Sequence, residues 1–161
     1  MNKPSPTRVA LLLRIGLIAG TLDIGENLIF NQLREVTPSM VFHCIASGLI
    51  GMKAFEMGFA AVILGVAIHY AIAMTWTVVY YAAGRKFTSL IRHPVISGLL
   101  YGIVVYLIMN FVVLPFTGVP HAEKAITIAS RVNGVLALML CIGLTIALLL
   151  RRNLPRLEAD R

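Results

Sequence analysis

The chain has 161 residues, of which 58% are apolar and only 13% charged, and its mean hydropathy is +0.86. An ordinary soluble domain carries about a quarter charged residues, so this composition excludes that class and indicates an integral membrane protein. The formal charge of +7 is then first a topology signal and only secondarily an argument for an acidic partner, and no nucleic-acid partner is expected.

Four apolar stretches are long enough to cross about 30 Å of hydrocarbon at about 1.5 Å per residue. They are Val9 to Phe30, Phe59 to Ala83, Pro94 to Phe116 and Ser130 to Leu150, and together they hold 91 of the 161 residues. Runs such as AAVILGVAI and LALMLCIGLTIALLL lack the alternation of a barrel strand, which predicts an all-α, polytopic four-helix bundle forming a single membrane domain. A fifth apolar stretch, Pro38 to Met52, is too short for a normal span and reads as a re-entrant or an interfacial helix.

Basic residues set the expected orientation. Lys3 and Arg8 precede span one, Arg85, Lys86 and Arg92 lie between spans two and three, and Arg151, Arg152, Arg156 and Arg161 follow span four. Arg34, Lys53, Lys124 and Arg131 fall on the opposite side, so the positive-inside bias places both termini in the cytoplasm. Span one is retained as a mature helix rather than a secretory signal, because Arg14, Asp23 and Glu26 interrupt it and no small-residue cleavage site follows.

The unusual chemistry begins in span one, VALLLRIGLIAGTLDIGENLIF. Asp23, Glu26 and Asn27 have i,i+3 and i,i+4 spacing and share one broad face. From Val9, Asp23 lies about 21 Å along the helix, and from Phe59, His69 lies about 15 Å down span two, so both reach the outer half of the bundle. Asn110 in span three has a depth comparable to that of Asp23. These five residues are the expected polar chamber, facing outward, because lipid exposure would be costly for each. The competing reading is structural: the acids pair with a neighbouring helix, and the amides act as interhelical glue. Arg14, about 7.5 Å from the inner start, is expected to snorkel to the headgroups, and Arg131 to meet Glu26 or Glu123.

His69 can relay a proton, ligate a cofactor or hydrogen-bond across the bundle. His43, His93 and His121 fall at other depths, so no metal site is expected, and haem held by His69 with another axial group is retained as a lesser alternative. Cys44 and Cys141 also differ in depth, which argues against a disulfide. Gly16 and Gly20, like Gly98 and Gly102, form GxxxG faces for close helix packing, with Ser97, Gly65 and Gly134 extending such contacts. Tyr80 and Tyr81 read as boundary anchors, Trp76 as a packing residue, and Pro115 and Pro120 as terminators of span three. No P-loop, HExxH or nucleophile elbow is present.

At LIAGTLDIGENLIF, IASGLIG and SGLLYGIVVYLIMNFVVLP the chain resembles a family of small, functionally uncharacterised bacterial multi-span inner-membrane proteins. The resemblance covers about residues 10 to 150; it implies a compact multi-span membrane protein and no defined activity. Three function classes follow from the residues themselves. The leading one is a small transporter or channel component for a proton, cation or small solute, with Asp23 and Glu26 as the site, His69 as relay and the Pro38 to Met52 segment as an outer gate. A second is an accessory or assembly protein whose small-residue faces bind a larger membrane partner or a further copy of the chain. A third is a membrane enzyme acting on a lipid or isoprenoid, with Asp23 as base and His69 as acid. Membrane lipids are expected partners in every case.

Overall fold

A computed structural model describes residues 8–119 and 127–158, with side chains described as far as Asn153. Lys3, Pro120, His121, Glu123, Lys124 and Arg161 lie outside the described residues, as does the side chain of Arg156. The fold is all-helical among the described residues. In chain order, α1 is Arg8–Gln32, α2 Pro38–Ile50, α3 Phe59–Lys86, α4 Thr88–Arg92, α5 Pro94–Ile108, α6 Ile128–Ala137 and α7 Thr145–Glu158. A π-helical turn, Met109–Val113, and a 3-10 turn, Leu114–Phe116, continue α5, and a π-helical stretch, Leu138–Leu144, joins α6 to α7 into one long helix.

Among the described residues, three helices are long and apolar enough to cross a membrane: Phe59–Lys86, Pro94–Phe116 and Ile128–Asn153. Their most apolar windows have mean hydropathies of 1.9, 2.2 and 2.4. At 25 residues, α1 is also membrane-length, about 37 Å, but Arg14, Asp23 and Glu26 lower its hydropathy. The polar residues that make α1 chemically interesting are thus the ones that set it apart from the other long helices.

Local chemistry explains the boundaries. Thr37 caps α2 by accepting the Met40 N–H, and Pro38 occupies the first turn, where its missing N–H costs nothing. Gly51 ends α2 at φ 64° and Gly58 precedes α3 at φ 55°, left-handed conformations that a glycine adopts without Cβ strain. The connection between them folds α2 back along the start of α3, where Gly65 lies directly on the Phe42 backbone and Ala46, Ala54 and Ala61 form a small buried cluster. Thr127 caps α6 through the Ser130 N–H, and Pro94 opens α5.

The principal core is at the end of the bundle that carries Arg85, Lys86, Arg92, Arg151 and Arg152. Leu11 and Ile15 of α1, Ala73 and Tyr80 of α3, and Ile142, Ile146, Ala147 and Leu150 of the C-terminal helix are all buried there. Each GxxxG face is used inside the chain. A Cβ on Gly16 would strike Met74, and one on Gly20 would stand 3.0 Å from the Ala73 Cβ and 3.1 Å from the Tyr70 ring, so this face packs α1 on α3. A Cβ on Gly98 would stand 2.8 Å from the Gly143 carbonyl oxygen, and one on Gly102 would collide with the Met139 backbone, so the second face packs α5 on the C-terminal helix.

Tyr80 corrects one sequence expectation. It is 1% exposed, not a boundary anchor. Its hydroxyl lies 2.9 Å from Ser97 Oγ and donates toward the Leu90 carbonyl at 3.1 Å, while Ser97 Oγ is 2.6 Å from the Leu90 carbonyl and 2.7 Å from that of His93. The site is buried, so the hydroxyls must find partners within the protein, and they tie the α3 and α5 ends to the α4 connection. Tyr81 behaves closer to expectation, half-buried beneath the Arg85 guanidinium at 6.0 Å.

Candidate functional site

Away from the basic end the helices part around a cavity of about 790 Å³. Its lining extends from Asn31, Thr117, Ser130 and Arg131 near the helix ends down to Trp76 and Ile142. Asp23, Glu26, Asn27, His69 and Asn110 all line it, so residues from three different helices meet around one space.

The floor is aromatic. Trp76 lines the cavity, and its ring meets Tyr101 edge-on at 6.2 Å, while the Tyr101 hydroxyl donates to the Trp76 carbonyl at 2.6 Å. Tyr101 in turn meets Tyr80 at 4.8 Å, which connects the floor to the buried hydroxyl network beneath it. Trp76 is therefore both the packing residue expected from the sequence and part of the cavity surface.

Glu26 is held from across the cavity: one carboxylate oxygen accepts the Asn133 amide N–H at 2.9 Å, and the other is buried with no hydrogen-bond partner among the described residues. Arg131 lines the rim and is exposed; Asn133, two residues further on, is the α6 side chain that reaches Glu26. Asp23 lies within electrostatic reach of both His69 and Glu26, and its carboxylate accepts no hydrogen bond from the described residues. His69 Nε2 is 2.8 Å from the Gly20 carbonyl oxygen, which can only accept, so Nε2 carries a proton and, in the neutral ring, Nδ1 keeps its lone pair. The small residue at Gly20 serves twice: it admits α3 close to α1 and leaves a carbonyl within reach of the imidazole.

The amides are less exceptional. Asn110 donates to the Tyr106 carbonyl one turn back at 2.9 Å, and Asn31 donates to both the carbonyl and side-chain oxygen of Asn27 at 2.9 and 3.0 Å. At the rim, Arg34 donates to Ser130 Oγ and, at 3.5 Å, to Thr127 Oγ1, linking the end of α1 to the start of α6. Cys44, Val41 and Ile45 of α2 form a further wall. Partial burial raises the Cys44 thiol above its ordinary pKa, and both Cys44 and Cys141 are free thiols. Both π-helical stretches border the cavity, through Asn110 and Phe111 on one and Leu138 and Ile142 on the other.

Asn133 is the functional candidate that sequence reasoning missed. Its signal was an amide set between Arg131 and Gly134 in an otherwise apolar helix, but its partner is 107 positions away. Of the described histidines, only His69 lines the cavity; His43 is tied to the Ser39 and Gly58 carbonyls at 2.7 and 3.0 Å. Among the described residues, no three His, Cys, Asp or Glu side chains are grouped to hold a metal ion.

Among the described residues, fold and site together define an all-helical protein with three apolar helices of membrane-spanning length and a cavity lined by two carboxylates. Comparison with family models, with curated proteins and with solved structures gives no match to this chain, so residue roles rest on the geometry.

Proposed function

We propose that the chain is a small membrane transporter or channel component that takes a proton, cation or small solute into the cavity between α1, α3, α5 and α6. In this reading α1 is a fourth membrane span, both termini are cytoplasmic, the membrane is a bacterial inner membrane and the cavity faces outward. The distribution of Arg85, Lys86, Arg92, Arg151 and Arg152 at the closed end supports that orientation. The antiparallel course of α2 beside the start of α3 favours a re-entrant segment over one lying flat, and its Val41 and Cys44 would then wall the entrance.

One observation carries the proposal: Asp23 and Glu26 line a roomy cavity with three of four carboxylate oxygens lacking a hydrogen bond from the described residues. Acids placed only to pin helices together would have their oxygens satisfied by neighbouring donors, as Ser97 and Tyr80 are. The accessory reading has less support, because the glycine faces at Gly16, Gly20, Gly98 and Gly102 are already occupied within the chain. The test is flux into liposomes containing the purified protein. A proton or cation flux above that of empty vesicles is expected, falling at least tenfold in a folded Asp23→Asn variant. Flux equal to that of empty vesicles, or unchanged by the substitution, would overturn the proposal.

A further inference from the structure

The cavity has more room and fewer ligating groups than a bare metal ion requires. Its volume of about 790 Å³ lies within the range of pockets for organic molecules, and no three metal-ligating side chains are grouped among the described residues. Polar atoms concentrate on the α1 side, at Asp23, Glu26 and Asn27, with Asn133 reaching over from α6. Most of the remaining lining is apolar or aromatic, including Ile72 and Trp76 of α3, Val105 and Tyr106 of α5, and Leu138 and Ile142 of the C-terminal helix.

Charge accounting narrows the ligand further. Among the described residues, Glu26 has a buried oxygen with no donor and Asp23 receives no hydrogen bond. His69 spends its Nε2 proton on the Gly20 carbonyl. Arg131, the one Lys or Arg side chain among the described residues of the lining, is exposed at the rim, and the contact to Glu26 is made by the neutral Asn133. An anion would face two carboxylates here, and a neutral apolar molecule would leave them unsatisfied. A positive charge set among apolar substituents meets both halves of the surface: the carboxylates attract the charge, and aromatic faces such as Trp76 attract cations as well as apolar groups.

We propose that this cavity binds a lipophilic monovalent organic cation, with its charge toward Glu26 and Asp23 and its apolar groups on Trp76 and the walls beside it. The proposal deepens the proposed function by naming a ligand class, and it rests on the same cavity but not on translocation.

Trp76 supplies the readout, since it is the only tryptophan in the chain and lines the cavity. The full chain in nanodiscs of zwitterionic lipid is titrated with tetraphenylphosphonium and, separately, with tetraphenylborate, an anion of the same shape, with protein-free nanodiscs subtracting partition into lipid. A saturable change in Trp76 fluorescence is expected with the cation and none with the anion. Glu26→Gln is expected to weaken cation binding at least tenfold, whereas Glu56→Gln, an exposed acid outside the lining, leaves it unchanged. If Glu26→Gln does not fold, Asp23→Asn replaces it, since no hydrogen bond from the described residues is lost there, with the same tenfold weakening expected. Equal responses to the two ions, no saturable response to the cation, or binding unchanged in the folded acid variant would overturn the assignment. Cation binding without flux sinks the transport reading and leaves this site standing; flux without cation binding does the reverse.

Discussion

At the basic end of the bundle Ile15, Ala73, Tyr80, Ile146 and Leu150 close on one another, whereas at the other end the same long helices stand apart around about 790 Å³. The difference lies in which side chains each helix presents along its length. In its first half α1 offers Leu11, Ile15, Gly16 and Ala19, which pack closely, and in its second half Asp23, Glu26 and Asn27, which cannot be buried without partners. In α3 the sequence passes from His69 through Trp76 to Tyr80, so its aromatic and hydroxyl groups form first a floor and then a plug. The contrast divides the molecule: packing is concentrated at one end, and unsatisfied polarity is kept at the other.

Substitutions at the two ends should therefore differ in size and in kind. The largest effect is expected at Gly102, where a Cβ already collides with the Met139 backbone. Gly102→Leu should cost at least the upper part of the roughly 1–3 kcal/mol typical of overpacking, because backbone has less freedom to give than a side chain. Loss of the monodisperse elution peak, or a large drop in thermal midpoint, checks this; near-normal stability would break the picture of a closed end built on direct helix contact.

An intermediate effect is expected at the cavity wall. Asn133→Leu removes the one donor to Glu26 among the described residues, at a cost of about 1–3 kcal/mol. The double substitution with Glu26→Gln should recover part of that loss, and the coupling is read from thermal unfolding of the four proteins in the cycle. Additive losses would show that the 2.9 Å contact contributes nothing specific.

The smallest effect is expected at Gly25, on the open half of α1, where a Cβ would meet nothing within 4 Å. Gly25→Ala should stabilise by no more than about 1 kcal/mol, through helix propensity alone. A clear loss of stability would mean that this face of α1 is covered and that the two ends differ less than described.

Much of this was legible along the chain. Long apolar runs predicted the long helices, helical rise placed Asp23, His69 and Asn110 at compatible depths, and Thr37 with Pro38 marked the start of the short helix. The four GxxxG glycines were recognisable as packing positions, because their spacing puts them on one face of a helix. What they pack against was not legible. The Gly98 and Gly102 face is met by Gly143, Leu144 and Met139, and nothing in the spacing of CIGLT marks Gly143 as their partner. Tyr80 differs from expectation for a related reason: next to Tyr81 and near basic residues it has the pattern of an interfacial anchor, and only the approach of Ser97 and the Leu90 carbonyl makes it a buried one.

The sequence by itself determined the helical class, the long apolar elements, the separation of charge between their ends and the presence of carboxylates inside one of them, since these depend on composition, period and rise. Tertiary structure alone decided that Glu26 takes Asn133 rather than Arg131, that His69 gives its Nε2 proton to the Gly20 carbonyl, and that Trp76 forms a cavity floor. These are matters of rotation about and distance between helix axes. Helical rise sets how deep a residue sits, but only interhelical packing sets which side chain it faces.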